Sequence, residues 1–506
     1  MNIIFSIISG IFLIFALPPF NLGWLSWFCL VPFLTALNNK RPIQGFVHGL
    51  ITGLVYFSGI LYSALHIGVL GCILLVIYQA LYFALFGLLF ALLTKNKPSG
   101  LRYVFSASFL WVLIEYIRSQ GAFGSTWGLL AYSQWNNIPL IQISDITGVY
   151  GVSFLVFIIN AAISYFISQF LRQKKLLISE IKITGIAIAG IFFLVFLYGI
   201  NAVSRYSHSR ENETRKINVT IVQPNIDKEE KWQSSRFART MQTYIDLTQK
   251  IEEKPDLVIW PETAITESFN SISYLPALME KFVKFKDVYL LTGILDEDKG
   301  RNYNRAVLFA PDGKVVGKYD KIHLFPFAEF IPFPNDIGLS FFKKTFHRGY
   351  YSPGKEYAVF DTPMGKISCI ICFESIFPQD VRRFVKHGAE YLINITNDAW
   401  FGKSNVPYQH FAINVFRAVE NRIEIARCAN TGISGFIDAA GRPRQRTSIF
   451  TQTTINSTLT PRLQDTFYTR FGDIFSYMCI LGTIVFLTKR KPEKKDKASK
   501  KAEQRQ

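Results

Sequence analysis

The sequence predicts a membrane-embedded bundle of about eight helices that carries an extramembrane α/β domain. Three observations lead there. Long apolar runs recur through the first 200 residues and return once near residue 480. Lys and Arg collect in short loops that alternate along the chain with loops poor in them. After residue 216 the pattern switches to short strand-like runs and amphipathic helices. Composition agrees: 49% of residues are hydrophobic, 46 are Phe, and only 18% are charged, against about 25% charged in an average soluble domain.

The apolar runs fall near 2–18, 22–38, 45–65, 67–93, 103–118, 148–171, 183–200 and 471–488, each long enough, or nearly so, to cross a bilayer. The first has no Lys or Arg before it and no small-residue cleavage site after it, and a second apolar run follows at once. It reads as a retained helix rather than a signal peptide. The basic loops are "NNKRP" (38–42), "TKNKPSGLR" (94–102) and "LRQKK" (171–175). Loops rich in Lys and Arg stay cytoplasmic, so alternate crossing puts these three and the tail "KRKPEKKDKASKKAEQRQ" inside, with residues 201–470 outside. The expected organisation is a transmembrane domain over 1–200, a polar linker over 201–216, an extramembrane α/β domain over 217–466, a last transmembrane helix over 467–489 and a basic tail over 490–506.

The net charge of +18 sits in those loops and in the tail, not on one face, and no nucleic-acid motif accompanies it. No nucleic-acid partner is expected. The six cysteines do not form a disulfide framework. Cys29, Cys72 and Cys479 lie in apolar segments, where a thiol acts as a small hydrophobe. The "CIIC" pair, Cys369 and Cys372, lacks the second pair or the histidines a zinc site needs, so no metal is expected.

In the polar half, "INVTIVQPN", "DLVIWPE", "VYLLTGIL", "NRAVLFA", "ISCIICFE" and "YLINITND" read as strands, while "SSRFARTMQTYIDLTQKI", "DVRRFVKHGA" and "HFAINVFRAVENRIEIAR" read as helices. There is no internal repeat. Alternation of this kind predicts an α/β domain.

Polar residues mark the ends of several strands. "LVIWPETA" ends in Glu262, "GKYDKIHLFPFAEFIPF" carries Lys321 and Glu329, and "ISCIICFES" carries Cys372 ahead of a helix-opening stretch. A strand-to-helix elbow favours an anion, so a thiol there is expected to have a lowered pKa. A carboxylate can take the thiol proton and a lysine can hold the oxyanion of an attacked acyl carbonyl. Each residue also has a plain reading: a packed thiol, a solvated loop carboxylate, one basic residue among 55. Spacing alone does not decide between them.

Local context does. "WPET" (260–263), "YDKIHLFPFAEF" (319–330), "CFES" (372–375) and "NITNDAWFG" (394–402) resemble, in order, the motifs of the nitrilase superfamily. With "VQPNI" (222–226), the loop "STWGLLAYSQWNNIPLIQISDITGVYG" (125–151) and the flanking apolar runs, the chain resembles the membrane-embedded apolipoprotein N-acyltransferase family of that superfamily over nearly all of residues 1–490. The resemblance implies an α-β-β-α sandwich. It makes Cys372 the nucleophile, Glu262 the general base, Lys321 the oxyanion-stabilising group and Glu329 a second, supporting glutamate. Glu374 is either a supporting catalytic carboxylate or a structural one that bonds a loop. Trp232 and Trp400 match aromatic, substrate-binding positions on loops over the site. Phe373 departs from the tyrosine the family places after its nucleophile.

The same resemblance implies an enzyme of the bacterial inner membrane with its catalytic domain periplasmic. It would take an acyl chain from phosphatidylethanolamine as a Cys372 thioester and pass it to the α-amine of a diacylated apolipoprotein, as a monomer and without a cofactor. A tethered amidase that passes the thioester to water is the nearest alternative. A transporter would carry ionisable groups deep in the membrane, and here only the i,i+3 pair Glu115 and Arg118 and a lone His48 stand out.

Overall fold

The computed structural model describes residues 2–66, 68–95, 98–121, 123–173, 178–269, 272–326, 328–330 and 350–488. Lys174 and the tail 490–506, both expected on the cytoplasmic side, lie outside the described residues. All eight apolar runs are helical. Pro42–His66, Val69–Thr94, Gly100–Arg118, Val149–Leu171 and Ile178–Asn212 are long and apolar enough to cross a membrane, and Asn2–Ala16, Gly23–Leu37 and Ile474–Thr488 are shorter apolar helices. Large apolar side chains remain uncovered on their outer faces, as at Ile186, Phe193 and Leu194, which suits lipid contact.

Two of these helices pack with almost no side chain between them. Gly45, Gly49 and Gly53 recur every four residues and face Gly87, Phe83 and Ala80, so that a Cβ on Gly49 would lie 2.1 Å from the Phe83 carbonyl oxygen. Small residues at this spacing let two helix backbones meet within a membrane. The pair carries one wall of the site described below. Glu115 and Arg118 do not bond to each other. Glu115 accepts the Leu130 N–H at 2.9 Å, and Arg118 donates to Gln79 at 3.1 Å and to the Trp127 carbonyl at 2.7 Å. Both therefore brace the loop that follows their helix.

Most of the segment expected as a linker is instead helix: Ile178–Asn212 runs 35 residues without a break, and only 213–216 connect it to the first strand. Its last turns are polar because they leave the apolar layer, not because the helix ends. There Tyr206 and Arg210 reach Glu424 at 2.6 and 2.8 Å.

The α/β domain holds two facing sheets. The first contains β1 (Ile217–Gln223), β2 (Leu257–Ile259), β3 (Ile265–Ser268), β4 (Tyr289–Asp298), β5 (Arg301–Phe309) and β6 (Val315–Asp320). The second contains β7 (Phe360–Thr362), β8 (Gly365–Ile371), β9 (Tyr391–Thr396), β10 (Ile425–Ala429), β11 (Gly435–Ile437) and β12 (Pro443–Arg446). The last strand, β13 (Thr453–Leu459), crosses back to pair with β1. Orders are β13-β1-β2-β4-β5-β6, with β3 on β4, and β12-β11-β10-β9-β8-β7. Strand alternation builds the layers. Val219, Ile221, Leu257, Ile259, Leu291 and Leu308 share one cluster with the second sheet. Their neighbours Val222, Val258, Trp260, Leu290 and Phe309 pack outward with Phe237, Met241 and Tyr244 of the helix Phe237–Gln249 and with Met279 and Phe282 of the helix Leu275–Lys286.

Every residue of the helix Val406–Asn421 except Tyr408 is buried, with the helix held between the second sheet and the membrane helices. It stops earlier than its sequence pattern predicts. Arg422 turns left-handed at φ 49°, and "IEIAR", expected as helix, lies mostly in β10. Gln409 donates to the Pro18 carbonyl at 3.0 Å, Asn405 to that of Ile60 at 2.9 Å, and Trp127 to Gln409 at 2.6 Å. Arg422 pairs with Asp145 at 2.6 Å. The helix ends near Pro18, Ile60, Trp127 and Asp145 thus gather on the α/β side, which leaves Lys40, Arg41 and Lys95 at the opposite helix ends.

Gly49→Ala should lower the thermal midpoint of the detergent-solubilised protein, because overpacking of this kind costs about 1–3 kcal/mol. Gly185→Ala, where nothing lies within 4 Å of the added carbon, should not. Equal midpoints for the two variants would refute the close helix contact.

Candidate active site

Four chain segments converge at one edge of the sandwich. β2 ends at Ile259 and delivers Glu262, Lys321 follows β6, Cys372 follows β8, and Asn397 follows β9. The first sheet therefore supplies the carboxylate and the lysine, and the second supplies the thiol.

Glu262, Lys321 and Glu329 form one hydrogen-bonded cluster. Lys321 Nζ lies 2.9 Å from Glu329 Oε2 and 3.4 Å from Glu262 Oε1. Asn304 Nδ2, on β5, donates to both carboxylates at 2.8 Å. Glu262 Oε2 accepts the Asn397 N–H at 2.8 Å, and Glu329 Oε2 accepts the Phe325 N–H at 2.7 Å. Burial lowers the lysine pKa, but Glu329 and Glu262 outweigh it, so Lys321 is held above its ordinary value and stays charged.

Cys372 does not continue the strand. Its φ of 52° is left-handed, a region that non-glycine residues rarely enter and that clusters at functional sites. A five-residue 3₁₀ turn, Cys372–Ile376, follows in place of an immediate helix. Glu374 secures this elbow. It accepts from the Ile371 N–H at 2.7 Å on one side, and from Tyr319 Oη at 2.6 Å, Ile322 N at 2.7 Å and His323 N at 3.1 Å on the other. These four bonds tie the elbow to the loop after Lys321. Phe373 meets Phe325 and Phe377 edge-on at 4.9 and 5.2 Å. The missing hydroxyl is therefore replaced by an apolar wall.

The expected lowering of the Cys372 pKa is contradicted. Burial of the sulfur, then the Glu262 charge, raise it, and Lys321 and the Thr396 hydroxyl oppose them only in part. A short 3₁₀ turn offers little helix dipole, and two carboxylates share one ammonium nearby. The raised pKa favours the protonated thiol. Cys369 lies fully buried within β8 and, like the other five cysteines, is free.

Trp232 and Trp400 meet with ring centroids 5.8 Å apart. Each follows a residue tied to Glu262: Lys231 Nζ donates to the Glu262 carbonyl at 2.9 Å, and Asn397 precedes the turn Asp398–Phe401 that carries Trp400. Sequence reading missed Asn304, Asn397, Lys231 and His410, polar residues whose neighbours in space are distant in sequence. The "QH" of 409–410 in the first turns of a helix-like stretch is the available sign.

A cavity of about 710 Å³ opens from Cys372, lined by Phe373, Phe401, Phe57, Leu61, Leu70 and Leu74 among others. It is almost wholly apolar. Its far wall is the start of the helix Val69–Thr94, where Val69, Leu70 and Leu74 are also exposed on the outer surface.

Alkylation of Cys372 by iodoacetamide, followed by mass spectrometry on the mapped peptide, should keep accelerating with pH beyond about 8.5, the ordinary thiol value. The sign follows from the raised pKa, since only the thiolate reacts. A plateau below about pH 8 would contradict the protonated resting thiol.

Residues 218–466 match the carbon-nitrogen hydrolase family, and residues 9–162 match the apolipoprotein N-acyltransferase N-terminal domain. An apolipoprotein N-acyltransferase of Geobacter metallireducens is 34% identical over 501 residues, covering 95% of this chain and 93% of that protein. One from Chlorobaculum tepidum is 30% identical over 494 residues, covering 92% and 91%. One from Thermotoga maritima is 29% identical over 517 residues, covering 98% and 95%. With both domains matched and relatives aligned along nearly its full length, the chain belongs to the apolipoprotein N-acyltransferase family.

Proposed function

We propose that the protein acylates the N-terminal amine of lipoproteins, taking the acyl chain from a membrane phospholipid through a thioester on Cys372. Relatives named for apolipoprotein N-acylation support the overall activity. The observation that carries the finer reading is the apolar cavity. It joins a protonated thiol, beside a carboxylate and an ammonium, to a helix surface that is exposed where lipid would lie. A soluble substrate needs no such route.

Glu262 is the base. Its Oε1 already accepts two hydrogen bonds, while Oε2 accepts one and keeps a lone pair for the thiol proton. As the sulfur attacks the ester carbonyl, Lys321 and backbone N–H groups stabilise the oxyanion. The proton on Glu262 then passes to the departing glycerol oxygen, releasing lysophospholipid and leaving the thioester. In the second half, the α-amine of a diacylglyceryl-cysteine attacks, Glu262 removes its proton, and the thiol is restored. Glu329 and Glu374 act by holding Lys321 and the Cys372 elbow. Trp232 and Trp400 line the approach of the acceptor. Phosphatidylethanolamine is the proposed donor, a diacylated apolipoprotein the acceptor, and a monomer the working form. The basic loops at the helix ends opposite the catalytic domain support a cytoplasmic tail and a periplasmic catalytic domain.

Given phosphatidylethanolamine without acceptor, wild-type protein should accumulate a hydroxylamine-sensitive acyl adduct on Cys372, visible by intact mass and absent in Cys372→Ala. Lys321→Ala should form it more slowly, by about 10²–10³, the cost of losing one oxyanion donor. A diacylglyceryl-cysteine peptide should discharge the adduct with gain of an amide-linked chain. Discharge to water alone would make the protein a hydrolase, and an equal adduct in Cys372→Ala would remove the nucleophile.

Orientation has its own test. Membrane-impermeant labelling of spheroplasts should reach a cysteine placed at Glu213 and miss one placed at Lys95. The reverse pattern would overturn the periplasmic assignment.

A further inference from the structure

We infer that His410 is a positioning residue for Cys372: its imidazole pins the left-handed peptide that aims the thiol and the oxyanion-binding N–H. The inference rests on the reading of Cys372 as the nucleophile. His410 sits in the first turns of the buried helix Val406–Asn421 and is 2% exposed. Its Nε2 lies 3.0 Å from the Cys372 carbonyl oxygen and 2.9 Å from Ser375 Oγ. A carbonyl oxygen can only accept, so Nε2 carries the hydrogen. On the other side of the ring, Nδ1 is 3.1 Å from both Asp398 Oδ1 and Arg427 Nη2. A carboxylate and a guanidinium both serve that nitrogen, so the Nε2 donor persists whether or not Nδ1 is protonated. Asp398 and Arg427 are themselves paired at 2.8 Å, and Trp127 backs the ring at a centroid distance of 5.7 Å.

The consequence follows from peptide geometry. In a trans peptide the C=O and the next N–H point in opposite directions. Holding the Cys372 carbonyl toward His410 therefore turns the Phe373 N–H away from the helix, to the side from which substrate must approach. Glu374 fixes the N–H of Ile371, before the nucleophile, at 2.7 Å. His410 fixes the carbonyl after it. The two clamps flank one left-handed residue and restrain its backbone, and the His410 side chain also lines the cavity beside Cys372.

Full-length protein in detergent, as His410→Gln and His410→Leu, tests this. Glutamine retains an N–H donor of similar reach, whereas leucine fills the space without one. His410→Leu should slow single-turnover thioester formation from phosphatidylethanolamine by about 10²-fold, the cost of a small misplacement of reacting groups, with the half-saturating lipid concentration unchanged. His410→Gln should recover to within about tenfold of wild type. Iodoacetamide alkylation of Cys372 should fall in the same order. A leucine variant within about threefold of wild type, or a folded glutamine variant no faster than leucine, would overturn the assignment. If leucine prevents folding, His410→Asn, whose amide is too short to reach the carbonyl, replaces it in the same comparison. Absence of a thioester in wild type would remove the nucleophile reading instead, and the order of alkylation rates would still judge the clamp.

Discussion

A lysine ammonium held between two carboxylates, out of water, is the constraint on which the site depends. Burying one cation with two anions is costly unless every lone pair finds a donor. Here Asn304 bridges both carboxylates, Asn397 and Phe325 supply backbone N–H groups, and Lys321 itself completes the set. These donors come from β5, from the end of β9 and from the loop after β6. The cluster therefore closes only when the two sheets face each other in register. Burial, and after it the charge of Glu262, holds the nearby Cys372 thiol above its ordinary pKa.

The membrane helices are joined to this arrangement by buried polar contacts rather than by a loose tether. Arg422 reaches Asp145, Glu424 gathers Tyr206, Arg210 and Arg444, and Thr126 donates to the Ile376 carbonyl at the end of the turn that begins at Cys372. Removing one member of such a pair strands the other in a dry interface. The two parts of the chain consequently share one fold, and the helix Val406–Asn421 is its common wall.

Much of this was legible from sequence because the signals are strong and local. Eight apolar runs name the helices, and "WPET", "YDKIHLFPFAEF" and "CFES" place Glu262, Lys321, Glu329 and Cys372 at strand ends, where the structure brings the first three into one cluster beside the fourth. What was not legible is non-local. Asn304 and His410 matter through partners far along the chain. The strands β3, β7, β11 and β12 are only three or four residues long, too short for alternation to register. The end of the helix at Asn421 rests on one left-handed arginine in a pattern that otherwise continues. The thiol pKa lies above rather than below its ordinary value because a short 3₁₀ turn, not a helix, follows the strand and burial dominates.

The helix Ile178–Asn212 carries a mechanical consequence. At 1.5 Å per residue its 35 residues span about 52 Å, more than the hydrocarbon layer of about 30 Å. One stiff rod thus begins in the bilayer and ends hydrogen-bonded to Glu424 on the α/β domain. Such a rod ties the α/β domain to the membrane-spanning part of the chain. A bilayer of different thickness is accommodated by tilting the rod, and tilt swings the domain with it. The position of the α/β domain over the bilayer is therefore coupled to the thickness of the membrane in which the chain resides.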